Sequence, residues 1–273
     1  MRIISEAQVR KIKEFIFQNG RLLERKLFSC FFENGKKDAV IKALMAYQNP
    51  DGGFGNGIEP DLLIPDSTAI GAETAMFYLD LLEFVDNEIT DDLYSWIIKE
   101  QNEMGYITHP PKNVHDYPFQ EWWNGPDDQR ILTLSSFLKK WGLGDAEFFQ
   151  RVNTFYSNNS LPEEIKLYDY PYYFYLKYLG ENKEEKEIFH QIHTQLPDIL
   201  EKNREHYLLF SRHWYPAIDN MEEVVIEKEV TNFFNGLQDD GGLKIVYQNL
   251  PWWRPIWTLD GLILLKKSGL IES

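Results

Sequence analysis

The sequence has a single cysteine, few basic residues and no long uncharged apolar run, and each shortage excludes a class of protein. With Cys30 alone, the chain has neither an internal disulfide framework nor a cysteine-rich zinc site. Lys and Arg number 28 against 43 Asp and Glu, a formal net charge of −15. Because nucleic acids and anionic membranes attract basic surfaces, this charge argues against both as partners. No segment approaches the roughly 18 apolar residues that span a bilayer, so stable membrane insertion is not expected.

The N-terminal segment mixes charged and apolar residues. Charges stand at Glu6, Arg10, Lys11, Lys13 and Glu14. A secretory signal peptide needs an uninterrupted apolar stretch, so this segment does not match one. We therefore expect a cytoplasmic protein.

The chain does contain ample core-forming residues: 43% are hydrophobic and 15% aromatic. Apolar residues recur every three or four positions through most of the chain, which is typical of amphipathic helices. Clusters of glycine and proline separate these helical segments. The sequence therefore predicts an all-α protein of about eleven helices. Its length suits one domain over residues 1–273.

A short motif recurs at the ends of predicted helices. Tyr47–Phe54 reads YQNPDGGF, Leu237–Leu243 reads LQDDGGL, and Glu100–Tyr106 is a weaker copy, EQNEMGY. Glycine accepts the left-handed backbone conformation that ends a helix. Each copy is followed by a loop and a further predicted helix, so the motif indicates an internal repeat of helix pairs.

These residues resemble the α/α-toroid superfamily of squalene cyclases and protein prenyltransferases, whose repeats end outer helices with Q-x-x-[D/S]-G-G-[F/W]. More closely, Tyr47–Ala69 resembles a group of uncharacterised bacterial proteins that share an N-P-D-G-G-F-G-x-x-x-E-P-D segment, a central W-W segment and a C-terminal repeat. The resemblance covers nearly the whole chain. It implies an incomplete α/α toroid of roughly five to six antiparallel helix pairs. Residues 1–36 would form an N-terminal helix pair that packs on the ring.

In such a toroid, the loops that lead into inner helices gather at one mouth of the central cavity. Here these loops are rich in carboxylates and tryptophans, the usual composition of a ligand site. The expected catalytic residues are Asp66, Glu59 and Asp61. The expected ligand-binding residues are Trp122, Trp123, Asp127, Asp128, Asp169, Tyr170, Trp252, Trp253, Arg254 and Trp257.

Structural roles stay open for several of these residues. Asp66 directly precedes a predicted helix, where an N-cap would account for it. Glu59 and Asp61 flank a proline and would suit a turn. Trp252 and Trp253 would also serve to close the ring against the first repeat.

The reactions of the superfamily match the residues only in part. A class II terpene cyclase carries D-x-D-D-T-A, and Ile64–Ala69 keeps the middle aspartate, Asp66, but lacks the one that donates the proton. Asp127-Asp128 supplies half of a D-D-x-x-D/E magnesium motif. Cys30, which a prenyltransferase-type zinc site would need, lies away from the repeat loops. We therefore expect no metal site and no cofactor.

Three functions follow as alternatives. The favoured one is a small-molecule enzyme related to terpenoid cyclases and prenyltransferases, with Asp66 as acid or base and Arg254 holding an anionic group of an isoprenoid ligand. The second is carbohydrate binding or cleavage by loop carboxylates and tryptophan platforms. The third is a non-catalytic scaffold that binds a ligand or a protein.

Overall fold

A computed structural model of the chain describes residues 2–85, 88–159 and 161–272. The fold is all-α, as predicted. The helices are α1 (Glu6–Asn19), α2 (Leu22–Phe32), α3 (Lys37–Leu44), α4 (Ala69–Leu82), α5 (Glu88–Glu100), α6 (Arg130–Trp141), α7 (Ala146–Asn158), α8 (Tyr170–Tyr178), α9 (Lys183–Lys202), α10 (Glu223–Gly236) and α11 (Trp253–Lys267). Short 3₁₀ turns connect several of them. Two short strands, β1 (Arg2–Ile3) and β2 (Ile271–Glu272), pair in parallel.

The chain divides into two compact units. Unit 1 combines Met1–Leu44 with His193–Ser273, and unit 2 is Met45–Ile192. A single domain over the whole chain stays a prediction. Within the described part of the chain, no helix has the length and apolar content that a bilayer crossing requires.

In unit 2, three helices are buried and two are amphipathic. The buried helices α4, α6 and α8 contact one another in that order, α4 with α6 and α6 with α8. Helices α5 and α7 bury only one face each and leave the other to solvent. A helix that is buried on most sides belongs to the interior of its unit. Glu73 on α4, Arg130 and Thr133 on α6, and Tyr170 on α8 therefore lie in the interior of unit 2.

The repeated motif forms the same turn three times. Gly52, Gly105 and Gly241 all have a φ of +92°. Each donates its backbone N–H to the carbonyl oxygen three residues earlier, at 2.9–3.0 Å. Because side chains are disfavoured at this φ, glycine is required at all three positions. The predicted repeat is thereby confirmed as a local structure, including its weaker copy at Glu100–Tyr106.

Each of these turns packs against the backbone of a neighbouring helix in its own unit. A Cβ built on Gly52 would lie 2.4 Å from the carbonyl oxygen of Asp92 on α5. At Gly105 the corresponding distance, to Arg151 on α7, is 2.2 Å. Glycine is therefore required for close approach as well as for backbone conformation.

Replacing Gly105 by alanine should destabilise the protein more than an ordinary positive-φ glycine would. Gly142 is the matched control: its φ is +72°, and a Cβ there meets no described atom within 4 Å. We expect Gly142→Ala to lower the free energy of unfolding by about 1 kcal/mol. Gly105→Ala should cost about 2–3 kcal/mol more, because its Cβ collides with backbone. Urea unfolding of both variants measures the difference, and equal costs would contradict the packing role of the turn.

Candidate functional site

Two of the predicted catalytic carboxylates are buried in unit 2. Glu59 is 4% exposed and Asp61 5% exposed. Glu59 accepts a hydrogen bond from the Thr74 hydroxyl on α4. Asp61 accepts one from the indole Nε1–H of Trp123, at 3.0 Å. Burying a carboxylate without hydrogen-bond donors is energetically unfavourable. These two bonds therefore stabilise both carboxylates of the loop before α4 in the interior.

The third predicted carboxylate, Asp66, lies on the surface. Its side chain accepts a hydrogen bond from the Asn113 amide. The N-cap of α4 is Thr68, whose hydroxyl accepts the Gly71 N–H at 3.0 Å. The interpretation of Asp66 as the N-cap is therefore wrong: the helix begins after Thr68, two residues further along the chain.

A buried arginine in unit 2 donates hydrogen bonds to two carboxylates and to a tyrosine hydroxyl. Arg130, at the start of α6, donates through Nη1 to Glu73 Oε1 on α4 at 3.0 Å. Its Nε donates to Asp127 Oδ2 at 2.5 Å. The Tyr170 hydroxyl, from α8, accepts from Arg130 Nη1 and donates to the same Glu73 oxygen. We call these four residues, together with Glu59, the Glu73 cluster.

The pKa of Glu73 is raised into the neutral range. Burial raises its pKa, Arg130 opposes the rise, and the charges of Asp127 and Glu59 add to it, so that the pKa is about 7. Its Oε2 atom is buried. The Thr133 hydroxyl lies close by, and its hydrogen bond to the carboxylate lowers the pKa of Glu73. A carboxyl with this pKa can both give and take a proton near neutral pH.

Arg130 stays charged in this environment. Burial by itself lowers its pKa, but Asp127 and Glu73 more than compensate, so its pKa lies above the ordinary value. A guanidinium between two carboxylates fixes the orientation of both. Arg130 therefore holds Glu73 Oε1 in place and leaves Oε2 as the atom that can exchange a proton.

The other predicted residues of unit 2 differ in burial and in partners. Trp123 is buried and its carbonyl oxygen lies 3.3 Å from Nε2 of His109, whose pKa is lowered by burial. Asp128 has a raised pKa, first because of burial and then because of the charge of Asp127. Asp169 accepts the backbone N–H of Lys166 at 2.7 Å, so part of its role is local. Trp122, by contrast, is 50% exposed.

The predicted residues at the C-terminal repeat lie in unit 1. Trp253 is buried, Trp257 is partly buried, and Trp252 is 43% exposed. Arg254 donates to both oxygens of Asp240, at 2.9 and 2.8 Å, and to the Leu243 carbonyl at 2.8 Å. These bonds hold the guanidinium group of Arg254 within the turn. An anionic ligand would have to compete with Asp240 for this group.

Replacing Arg254 by alanine should therefore reduce stability. We expect a loss of about 1–2 kcal/mol, from the carbonyl hydrogen bond and from the Phe15 ring that lies 4.8 Å from the guanidinium carbon. The partly exposed ion pair with Asp240 adds little. Arg10 is an exposed arginine and serves as the control, with an expected change within about 0.5 kcal/mol for Arg10→Ala. Thermal unfolding compares the two, and an Arg254→Ala variant as stable as Arg10→Ala would contradict the assignment.

Unit 1 also contains a buried ion pair of its own. Arg212 donates to Asp260 Oδ2 through Nε at 3.0 Å and through Nη2 at 2.7 Å. Both side chains are at least nine-tenths buried. The adjoining cavity, which His206 and Trp257 help to line, measures about 10 Å³ and has room for about one water molecule. This volume suits an internal structural feature of unit 1 rather than a ligand site.

The sequence pattern points to Glu59, Asp61, Asp127 and Tyr170 but to neither Glu73 nor Arg130. A signal for Glu73 does exist, because it is the one charged residue in the first ten positions of the otherwise apolar α4. Charged residues are rarely fully buried unless they are paired. A glutamate inside a helix that is apolar on all sides therefore implies a buried partner.

The arrangement suits proton transfer better than metal binding. Among the described residues, no three His, Cys, Asp or Glu side chains are placed to hold a metal ion. No protein-family model matches the chain, and no curated protein matches it. The toroid resemblance stays a prediction, and the chemistry of the Glu73 cluster is the basis for a functional proposal.

Proposed function

We propose that the protein acts on a small molecule by general acid–base chemistry, with Glu73 as the group that transfers the proton. The supporting observation is a buried carboxyl whose pKa is about 7 and which an arginine and a tyrosine hold in place. Arg130 and Tyr170 hold Oε1, so Oε2 is the atom that exchanges the proton. A catalytic acid or base works best when its pKa lies near the working pH.

This pKa favours proton transfer to oxygen or nitrogen. Protonation of an alkene, the first step of a terpene cyclase, needs a far stronger acid than a carboxyl with a pKa of about 7. An isoprenoid diphosphate would also need a free cationic group, whereas Arg130 is already bonded to two carboxylates. A polar substrate is therefore favoured over an isoprenoid, with Glu73 in the role first expected of Asp66.

Carbohydrate cleavage is a second candidate for the reaction. Glycoside hydrolysis uses two carboxyl groups, one of them with a raised pKa. Glu59 is close enough to Glu73 for its charge to raise the pKa of Glu73. In this hydrolysis mechanism, Glu73 is the general acid and Glu59 is the second carboxylate.

Two further parts of the proposal rest on the sequence. The arrangement of the helix pairs as an incomplete α/α toroid rests on the repeated turn. A cytoplasmic location is the second part, and it stays a prediction. The non-catalytic scaffold is the outcome that the following experiment would favour if catalysis were absent.

The test is a thermal-shift screen at pH 7 with oligosaccharides, polar metabolites and prenyl diphosphates, followed by mass spectrometry of each compound that binds. Ligands that bind only the folded state raise its melting temperature. We expect a bound compound to be converted by the wild type and by Asp66→Asn, the exposed control. Glu73→Gln should bind it but convert it at least about a hundredfold more slowly. Equal conversion by Glu73→Gln would overturn the role of Glu73, and binding without any conversion would favour the scaffold.

A further inference from the structure

The chain contains five Asn-Gly dipeptides, a sequence that can rearrange without an enzyme. The backbone nitrogen of the glycine attacks the side-chain Cγ of the asparagine, a C–N bond forms, and the amide nitrogen leaves as ammonia with the glycine proton. Water then opens the succinimide to aspartate or isoaspartate, so a neutral amide becomes a carboxylate. Glycine favours the attack because it has no Cβ to restrict the backbone. The five asparagines are Asn19, Asn34, Asn56, Asn124 and Asn235.

In three of these dipeptides, a hydrogen bond engages the attacking nitrogen. The N–H of Gly20 donates to the Ile16 carbonyl at 2.8 Å, and that of Gly35 donates to the Ser29 carbonyl at 2.9 Å. Gly236 is the last residue of α10, so its N–H belongs to the helical ladder. Such a hydrogen bond lowers the fraction of free N–H roughly fivefold and slows the attack by the same factor.

At Asn56, the hydrogen bonds hold the asparagine itself. Its side-chain Nδ2 donates to Asn49 Oδ1 at 3.0 Å, and its backbone N–H donates to the Pro65 carbonyl at 3.2 Å. The side chain must give up the first of these bonds before its Cγ can turn toward the nitrogen of Gly57. The fold therefore slows the reaction at this dipeptide as well.

Asn124-Gly125 has neither kind of protection. Asn124 is exposed and ends the 3₁₀ turn Glu121–Asn124. The N–H of Gly125 and the side chain of Asn124 make no hydrogen bond with any residue that the structure describes. A Cβ built on Gly125 would lie 4.0 Å from the nearest described atom beyond its chain neighbours, the Trp122 carbonyl oxygen. The backbone nitrogen is therefore free to attack, and the succinimide ring has room to form.

We infer that Asn124 is a site of spontaneous deamidation, which places an isoaspartate between Trp123 and Asp127. An isoaspartate lengthens the main chain by one carbon atom, because the chain then runs through the side-chain carbonyl. Trp123 donates to Asp61 and Asp127 accepts from Arg130, so both ends of the modified segment are anchored in the interior of unit 2. The longer chain disturbs these anchors. The modification thereby links the age of the protein to the Glu73 cluster.

Peptide mass spectrometry of the full-length protein, incubated at pH 8 and then digested with trypsin, tests the inference. Cleavage after Lys112 and Arg130 isolates Asn124 from the other four asparagines. We expect its peptide to deamidate at least about fivefold faster than theirs in the folded protein. In urea, where the fold protects none of the five, the rates should become similar. A folded-state rate at Asn124 no higher than at the other four would overturn the inference.

Variants separate the attack from its consequence. Gly125→Ala keeps Asn124 and suits the backbone, because φ at Gly125 is −83°, but its Cβ hinders the attack and should slow deamidation severalfold. Asn124→Ser cannot form the succinimide and should keep its melting temperature during the incubation. Asn124→Asp carries the new charge on an ordinary main chain and should melt above the aged wild type. Deamidation unaffected by Gly125→Ala, or an equal loss of stability in Asn124→Ser, would each overturn the inference.

Discussion

Replacing Arg130 by methionine should lower the free energy of unfolding by about 3–5 kcal/mol. The substitution removes the one guanidinium that Glu73 and Asp127 share and leaves both carboxyl groups in the interior of unit 2. Methionine fills a similar volume, so most of the loss comes from the uncompensated charge rather than from a cavity. Chemical denaturation at pH 7.5 measures the effect.

Neutralising the partners provides the control for this prediction. The combined variant Arg130→Met, Glu73→Gln, Asp127→Asn should recover a large part of the lost stability, because no buried charge is then left without a partner. Arg130→Lys keeps the charge but has no fork of donors for two carboxylates, so its cost should be intermediate. A loss below about 1 kcal/mol for Arg130→Met would contradict the existence of a buried charge cluster.

The second large effect is the dependence of stability on pH through Glu73. Its pKa is about 7 in the folded protein, against an ordinary value of 4.5. The folded state therefore binds more protons than the unfolded state between these two values, and stability falls as pH rises through that range. The contribution of Glu73 is greatest below pH 4.5 and is lost above pH 7.

Comparison with Glu73→Gln isolates this contribution. Between pH 5.5 and pH 8, the stability of the wild type relative to Glu73→Gln should fall by about 2 kcal/mol. Working at pH 5.5 avoids the sequence pI of about 4.9, where solubility is lowest. Asp66→Asn, which alters a carboxylate at an exposed position, is the control variant. A difference between wild type and Glu73→Gln that is constant with pH would contradict the raised pKa.

Local sequence signals predict most of the secondary structure. Helix α1 occupies Glu6–Asn19, because Ser5 caps its first turn with a reciprocal bond to Gln8 and Gly20 follows its last residue. The turns at Gly52, Gly105 and Gly241 were also predictable, because glycine is the residue that their φ of +92° requires. Such features depend on a few consecutive residues.

The candidate site was predictable only in part, because its contacts are long-range. Glu73 and Arg130 are 57 residues apart in sequence, and Glu73 and Tyr170 are 97 apart. No local pattern pairs residues at such distances. Loop composition did indicate Glu59 and Asp61, but their burial depends on how the loop packs against α4. The same composition also indicated Asp66, which packing leaves on the surface.

Site residues inside apolar helices are therefore easily missed from sequence. Loops rich in carboxylates and tryptophans attract attention as ligand sites. In unit 2, the residue with the most perturbed carboxyl group, Glu73, lies in the middle of a buried helix. A charged residue that interrupts an apolar helix is a stronger indication of a buried polar site than loop composition, because its burial requires a partner.

The central claim is that Glu73 is a buried carboxyl poised to exchange a proton near neutral pH. The most direct test is an NMR titration of the full-length protein with ¹³C-labelled glutamate side chains, in which the Glu73 signal is assigned by its loss in Glu73→Gln. The account predicts a Glu73 carboxyl carbon that titrates with a pKa of about 7. A Glu73 signal that is already fully ionised at pH 5.5 would contradict it.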